Sequence, residues 1–198
     1  PCGLIGIAEK GMMNVKYTVK SQGGHASAPK PGAPIDRLAS ACRNMVEHPF
    51  KLKLTAPAAE MFDTLGRYSS FVYKIIFSNI KLFLPVLDMI CKKGGGEMNA
   101  LMRTTVAFTQ AQGSSATNVI PPEASLVSNI RLNPADDMDS ALEYIKKTVA
   151  DENVGVTCMH GMNPSRISRT DCEGFDRVAS AVASTWKGCI VAPYLMVQ

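Results

Sequence analysis

Three polar residues at loop and strand positions are the candidates for chemistry in this sequence. His25 follows two glycines in the stretch SQGGHASAP, and glycine allows the backbone to come close to a ligand. Asn118 comes directly before the run VIPP, and Arg131 lies beside Asn129 in a segment typical of a strand. Each could contact a polar ligand, but each taken singly is also explained as a solvated turn or surface residue.

The sequence patterns that carry a complete active site are absent. His25, His48 and His160 lie in separate segments, without the HExxH or HxD spacing that binds zinc. No GxSxG nucleophile motif, no GxGxxG dinucleotide motif and no phosphate-binding loop occurs. We therefore expect no metal site, no cofactor and no self-contained active site in this chain.

Periodic patterns predict the elements that must position these residues. Apolar and polar residues alternate over 12–22, which predicts a half-buried strand. A helix is predicted to begin at Pro34 and to be stopped by Pro49. Further along, the patterns predict a helical region at about 57–99, strands at 102–112 and 124–132, a helix that opens at 134–137 and has inward apolar residues up to 149, and a strand at 154–159.

This order predicts an α+β fold of the ferredoxin-like βαββαβ type. Two right-handed crossover units fold most simply into a four-stranded antiparallel sheet with both helices on one face. The predicted domain covers residues 1–167, with the helical insert at about 57–99. Residues 168–198 contain a helix pattern and the apolar strand CIVAPYLMV, do not fit this plan and are assigned to another body. Without its natural cover, that helix is expected to be mobile or packed on a neighbour.

The composition favours a soluble globular protein without nucleic-acid or membrane partners. Its 198 residues include 21 Lys and Arg against 17 Asp and Glu, a charge too small and too evenly spread for a nucleic-acid surface. The apolar segment 71–90 is interrupted by Lys74, Lys81, Pro85 and Asp88, which predicts amphipathic helices rather than a membrane span. Six cysteines without CxxC spacing favour reduced thiols and a cytoplasmic location.

Three motifs taken together resemble the dimerisation (lid) domain of the zinc aminoacylase and carboxypeptidase family of metallopeptidases. They are GGHASAP after the first predicted strand, TNVIPPEAS between the second and third, and NIRLNP at the end of the third. The longer stretch RTTVAFTQAQGSSATNVIPPEA and the insert segment FSNIKLFLPVL look most similar to the carboxypeptidase S-like branch. The resemblance is strong over about 6–134 and weaker beyond.

The resemblance implies a role for each candidate residue. Family members bind zinc in a separate catalytic domain whose ligands are missing here, so residues 168–198 would be a fragment of the returning catalytic domain. His25 matches a histidine that reaches the partner subunit's active site and hydrogen-bonds the developing oxyanion. Asn118 matches an asparagine that lines the same substrate pocket. Arg131 matches the arginine that binds the substrate carboxylate.

The resemblance therefore predicts a lid and dimerisation domain of a zinc-dependent peptidase or amidohydrolase that hydrolyses N-acyl amino acids or small peptides. The chain alone is expected to be inactive. It is expected to pair as a homodimer through the lid sheet and first helix, and to join a catalytic domain of the same polypeptide. Two alternatives stay open: a ferredoxin-like oligomerisation module with no catalytic role, and a single-stranded RNA binder. The single phenylalanine of strand 102–112 argues against the RNA binder.

Overall fold

The structure is a computed structural model that describes residues 1–197. Its strands are β1 (Cys2–Glu9), β2 (Gly11–Lys20), β3 (Gly24–His25), β4 (Thr105–Gln112), β5 (Val119–Ile120), β6 (Glu123–Leu132), β7 (Gly155–Met162) and β8 (Ile190–Met196). Its helices are α1 (Pro34–Glu47), α2 (Ala56–Arg67), α3 (Phe71–Ser78), α4 (Ile80–Gly94), α5 (Gly96–Met102), α6 (Met138–Val149) and α7 (Glu173–Thr185).

A four-stranded antiparallel sheet with the strand order β4-β6-β2-β7 organises most of the chain. Successive side chains of a strand point to opposite faces, and the side chains of β2 alternate between buried and half-buried. The sheet therefore has a core face and an open face; the open face carries Asn14, Lys16 and Thr18 of β2 and Asn129 and Arg131 of β6. The antiparallel sheet of four strands predicted from the sequence is confirmed.

Helices α1 and α6 cover the core face. Each helix contributes one apolar stripe, because its buried residues recur every three or four positions. Asp137 caps α6 by accepting a hydrogen bond from the backbone N–H of Ser140 at 2.7 Å, as expected of an aspartate at a helix start. The buried core consists of Met13, Val15, Tyr17, Val19, Leu38, Ala41, Met45, Phe50, Ala124, Ile130, Leu132, Ala141, Ile145, Val149 and Val154.

A second, smaller core lies beyond the sheet. β1 pairs in parallel with β8, with Cys2 opposite Ile190 and Glu9 opposite Met196. Helix α2 packs on β8, so the predicted insert contacts the tail of the chain. The buried residues of this core are Ala8, Ala58, Met61, Phe62, Ile80, Cys91, Leu101, Met102, Ala192 and Leu195.

Two features of this region differ from the sequence prediction. β1 was not predicted, because its run contains two glycines and no clear alternation, and its partner β8 lies at the other end of the chain. The strand predicted over 102–112 begins instead at Thr105, since Met102 ends α5. The buried Arg103 guanidinium, which donates to the Phe50 carbonyl oxygen at 2.9 Å and pairs with Asp88, fixes this helix end.

The tail helix α7 lies on the outside of the second core. None of its residues is buried, and Val178 is 48% exposed. Its apolar residues Phe175, Ala179 and Val182 are half-buried and face β1 and β8, and the mobility of this helix stays a prediction. The domain division between residues 167 and 168 also stays a prediction. Within residues 1–197, no helix combines the length and the hydropathy that a membrane crossing requires.

Candidate functional site

His25 and Asn118 come together in a two-stranded ribbon beyond the end of the main sheet. β3 pairs with β5, so that His25 lies opposite Val119, and the backbone N–H of Ala26 donates to the Asn118 carbonyl oxygen at 2.9 Å. Gly23 has a positive φ of 67°, and a Cβ atom there would lie 3.2 Å from the Ile120 carbonyl oxygen. Glycine is therefore required where the chain turns into this ribbon.

Local hydrogen bonds determine which nitrogen of His25 faces outward as a donor. The backbone N–H of Ser27 donates to Nδ1 at 3.2 Å, and the Ser27 hydroxyl oxygen lies 2.7 Å from the same nitrogen. An imidazole nitrogen that accepts a backbone N–H carries no proton, so the neutral ring carries its proton on Nε2. The exposed ring thus presents an N–H donor to any group placed against it. The Asn118 carboxamide is exposed beside it.

Arg131 lies on the open face of β6, opposite Met12 of β2 and Thr105 of β4. Its Nε donates to Asn129 Oδ1 at 3.1 Å. Among the described residues, its two terminal nitrogens have no hydrogen-bond partner and no carboxylate pairs with it, so the planar fork is free to bind an anion.

The hydrogen bonds continue from Asn129 across two further strands. Asn129 Nδ2 donates to Asn14 Oδ1 at 2.8 Å, and Asn14 Nδ2 lies 2.9 Å from His160 Nε2. Sequence reasoning did not single out Asn14, and it considered His160 only as a metal ligand. Their polar character alone did not distinguish them from solvated strand residues, because the signal is the register that places them side by side.

A second cation lies near Arg131. Lys10 is buried, and its ammonium donates to the carbonyl oxygens of Ala100 and Arg103, at 2.8 Å each. Burial, with a further contribution from the charge of Arg131, lowers the pKa of Lys10 to about 8, although Asp136 opposes the shift. This end of the sheet is therefore positively charged, which suits an anionic ligand.

One chain does not bring the three predicted residues together. Lys20 and Glu123 pair at the end of the sheet that leads to His25 and Asn118, whereas Met12 and Arg131 pair at the other end. Eight residues of strand separate these positions, a distance of about 26 Å. That span exceeds the reach of one amino acid or dipeptide, so Arg131 cannot share such a ligand with His25 of its own chain.

The described residues offer no metal site, and the cavity of about 330 Å³ beside the ribbon is lined by Gly23, Gly24 and Ile120 rather than by the predicted site residues. Within 1–197, no three His, Cys, Asp or Glu side chains cluster in a way that fits zinc. A cavity of about 690 Å³ opens between α1 and α6 and is lined by His48, Tyr144 and Lys147, but it includes none of the predicted site residues. The candidate site is thus a set of side chains on an open surface, which needs further protein to enclose a substrate.

Comparison with known proteins defines the class to which the chain belongs. The family model of the peptidase dimerisation domain matches residues 7–157. The chain therefore belongs to this family, the dimerisation domain of M20 peptidases, and the resemblance predicted from the motifs is confirmed.

Relatives of known description fall within the same group. The chain is 30% identical over 198 residues to the probable carboxypeptidase S-like 2 of Dictyostelium discoideum, covering 100% of this chain and 38% of that protein. It is 32% identical over 198 residues to the N-fatty-acyl-amino acid synthase/hydrolase PM20D1 of Xenopus tropicalis, covering 98% of this chain and 38% of that protein. The chain thus spans well under half of the length of these relatives.

The fold is similar to that of solved M20 structures. An M20 family metallo-carboxypeptidase from Sulfolobus solfataricus aligns with a TM-score of 0.64 at 15% identity, over 98% of this chain and 53% of that one. Human carnosine dipeptidase 1 aligns with a TM-score of 0.59 at 14% identity, over 98% of this chain and 45% of that one. These likenesses concern the fold.

Proposed function

We propose that this chain is the lid and dimerisation domain of an enzyme that hydrolyses the amide bond of N-acyl amino acids or small peptides. Its relatives are described as a carboxypeptidase S-like protein and as N-fatty-acyl-amino acid synthase/hydrolases, which supports this substrate class. β2, α1, β4, β6, α6 and β7 form the proposed ferredoxin-like unit, and their strand order supports it. The full enzyme is a homodimer that pairs through the lid sheet and α1.

Each predicted residue has one task in this proposal. The Nε2–H of His25 donates to the oxygen that gains negative charge as the amide is attacked, and Asn118 lines the pocket beside it. The two free nitrogens of Arg131 bind the substrate carboxylate in a bidentate pair. The His25 donor would hold the reacting carbonyl group and the Arg131 guanidinium would hold the carboxylate, so that together they orient an N-acyl amino acid.

The observation that carries the proposal is the register of β2 and β6, which puts Arg131 opposite Met12 and the turn toward His25 after Lys20, about 26 Å further along the strand. One small substrate cannot touch His25 and Arg131 of the same chain, so a two-fold-related subunit must contribute one of them. A lid that also dimerises supplies this geometry.

The proposed zinc belongs to the catalytic domain elsewhere in the polypeptide. The residues described here do not fit a zinc site. A cytoplasmic location stays a prediction, which rests on six cysteines that are all unpaired in the described residues.

Kinetics of the full-length enzyme test the assignment. We expect His25→Ala to lower kcat by roughly two to three orders of magnitude, because one oxyanion donor is lost. Arg131→Ala is expected to raise KM for an N-acyl amino acid but not for its C-terminal amide, which lacks the carboxylate. Arg177→Ala, which changes an exposed arginine on α7, away from the proposed dimer contact, is the control and should leave both constants unchanged. If His25→Ala and Arg131→Ala both stay within about twofold of the wild type, the roles are wrong.

An oligomerisation module without catalytic residues is the second candidate. β7 is an edge strand of the sheet and exposes Met159 and Met162, 55% and 62% respectively, which favours strand pairing with another subunit. In that case Met159→Glu would abolish dimers and lower activity, whereas His25→Ala would change neither the oligomeric state nor the activity.

A further inference from the structure

We propose that Asn129, Asn14 and His160 form a hydrogen-bonded chain that holds the Arg131 guanidinium in place for the substrate carboxylate. The three would be positioning residues, since they act through Arg131 and do not touch the substrate. The inference rests on the proposed role of Arg131 and extends it to three residues with no role in the family resemblance.

The chain runs in one direction, with every donor matched to an acceptor. Arg131 Nε–H donates to Asn129 Oδ1, Asn129 Nδ2–H donates to Asn14 Oδ1, and Asn14 Nδ2–H donates to His160 Nε2, over distances of 3.1, 2.8 and 2.9 Å. An arginine can only donate, so Asn129 must turn its oxygen toward it. That choice fixes the orientation of Asn14, and a neutral Nε2 of His160 completes the chain.

Strand register places these residues in one row across the sheet. Asn14 of β2 lies opposite Asn129 of β6 on one side and opposite His160 of β7 on the other. The β2–β7 register shifts between Asn14 and Val15, where Met159 has no partner. This irregularity brings His160 onto the open face beside Asn14, and such bulges commonly redirect a side chain next to a functional site.

The chemistry of the row suits a residue that must stay charged and unpaired. Asn129 and Asn14 are neutral amides, so they orient the guanidinium without offering a competing carboxylate. The bond uses only Nε of Arg131 and leaves both terminal nitrogens for a bidentate contact. A long side chain fixed in this way loses less rotamer freedom when it binds its ligand.

The test uses the full-length dimeric enzyme with an N-acyl amino acid and with its C-terminal amide as paired substrates. We expect Asn129→Leu, Asn14→Leu and His160→Leu each to raise KM for the carboxylate substrate by roughly 3- to 10-fold, the effect of losing one hydrogen bond. The same variants should keep kcat within about twofold and leave KM for the amide substrate unchanged. His160→Gln, whose amide oxygen can accept from Asn14 in place of Nε2, should restore KM. Thr18→Val, on the open face outside the row, is the control.

The outcomes separate the inference from the proposal beneath it. If Arg131→Ala abolishes the preference for the carboxylate substrate while the three Leu variants leave KM unchanged, the inference is wrong and the role of Arg131 stands. If the Leu variants raise KM for both substrates alike, or if His160→Gln behaves like His160→Leu, their role is structural and the inference is also wrong. If Arg131→Ala itself leaves the preference intact, the proposed function fails and the inference falls with it.

Discussion

At the scale of single residues, Lys10 combines a charge with nearly complete burial. Its side chain is 4% exposed, and its ammonium bonds to two carbonyl oxygens at the end of α5. Burial lowers its pKa to about 8, and the nearby Arg131 adds to the shift. The folded state therefore releases this proton at a lower pH than the unfolded chain, where a lysine has a pKa of about 10.4.

The contribution of Lys10 to stability should consequently rise with pH in the window between these two values. From about pH 8 to 10.4 the unfolded chain binds more protons at Lys10 than the folded one, so this contribution to the free energy of unfolding increases with pH, by up to about 3 kcal/mol. The raised pKa values of the Cys2, Cys42 and Cys91 thiols act in the opposite direction, but equally in wild type and in a Lys10 variant. Lys10→Met removes this dependence. We expect the difference in unfolding free energy between wild type and variant to grow between pH 7.5 and 10, measured by urea unfolding. Burial raises the pKa of Tyr17 to about 12, and this shift contributes little to the pH dependence of the unfolding free energy below pH 10.

Lys16→Met is the control for this experiment, because Lys16 lies on the open face of β2, the strand that begins directly after Lys10. The plot of its unfolding free energy against pH should run parallel to that of the wild type. Parallel curves for wild type and Lys10→Met would instead show that Lys10 keeps an ordinary pKa in the folded chain.

At the scale of elements, the pairing of β2 with β7 depends on a glycine beside the bulge. A Cβ atom at Gly161 would lie 2.7 Å from the Met12 carbonyl oxygen and 2.8 Å from Met13 Cβ. Contacts this short with backbone cannot be relieved by turning a side chain, so the strands would have to separate locally. His160 is the neighbour of Gly161 and would move with it.

We therefore expect Gly161→Ala to destabilise the chain by about 1 to 3 kcal/mol, the usual range for overpacking. Gly155→Ala is a matched control on the same strand, since its new Cβ would meet only the Thr18 carbonyl oxygen at 3.5 Å, an ordinary contact. That variant should be neutral or slightly stabilising, because alanine has less freedom to lose on folding. Equal unfolding midpoints for the two variants in urea would contradict the proposed tight contact.

Elements with strong local periodicity were predictable from the sequence, whereas distant pairings were not. The alternation in β2 and the apolar stripes of α1 and α6 are local signals, and they predicted a strand of the central sheet and the two helices that cover it. β1 becomes a strand only through β8, nearly the whole chain away. Among the candidate residues, the motifs indicated His25, Asn118 and Arg131. The link from Arg131 to His160 depends on a register shift that no local pattern encodes.

At the scale of the whole molecule, the proposed function requires a second subunit to complete the site on the open face of the sheet. The chain covers 38% of the length of the first two relatives, and the candidate residues lie toward opposite ends of the main sheet, with His25 and Asn118 in the ribbon beyond one end and the half-buried Arg131 at the other. A two-fold axis beside the sheet would place the His25 end of one subunit next to the Arg131 end of the other. Each complete site would then take His25 and Asn118 from one lid and Arg131 from the other.

Heterodimers of the full-length enzyme test this arrangement directly. A subunit with His25→Ala and a subunit with Arg131→Ala, carrying different affinity tags, are co-expressed and purified through both tags. One site of such a dimer receives both intact residues and the other receives neither, so kcat/KM for an N-acyl amino acid should recover to about half of the wild-type value. Each mutant homodimer stays impaired. In the reciprocal control, a double mutant His25→Ala/Arg131→Ala paired with a wild-type subunit should stay impaired, because each site then lacks one residue. The opposite pattern, with recovery only in this control, would place His25 and Arg131 in the same site of one chain and would overturn the shared-site arrangement.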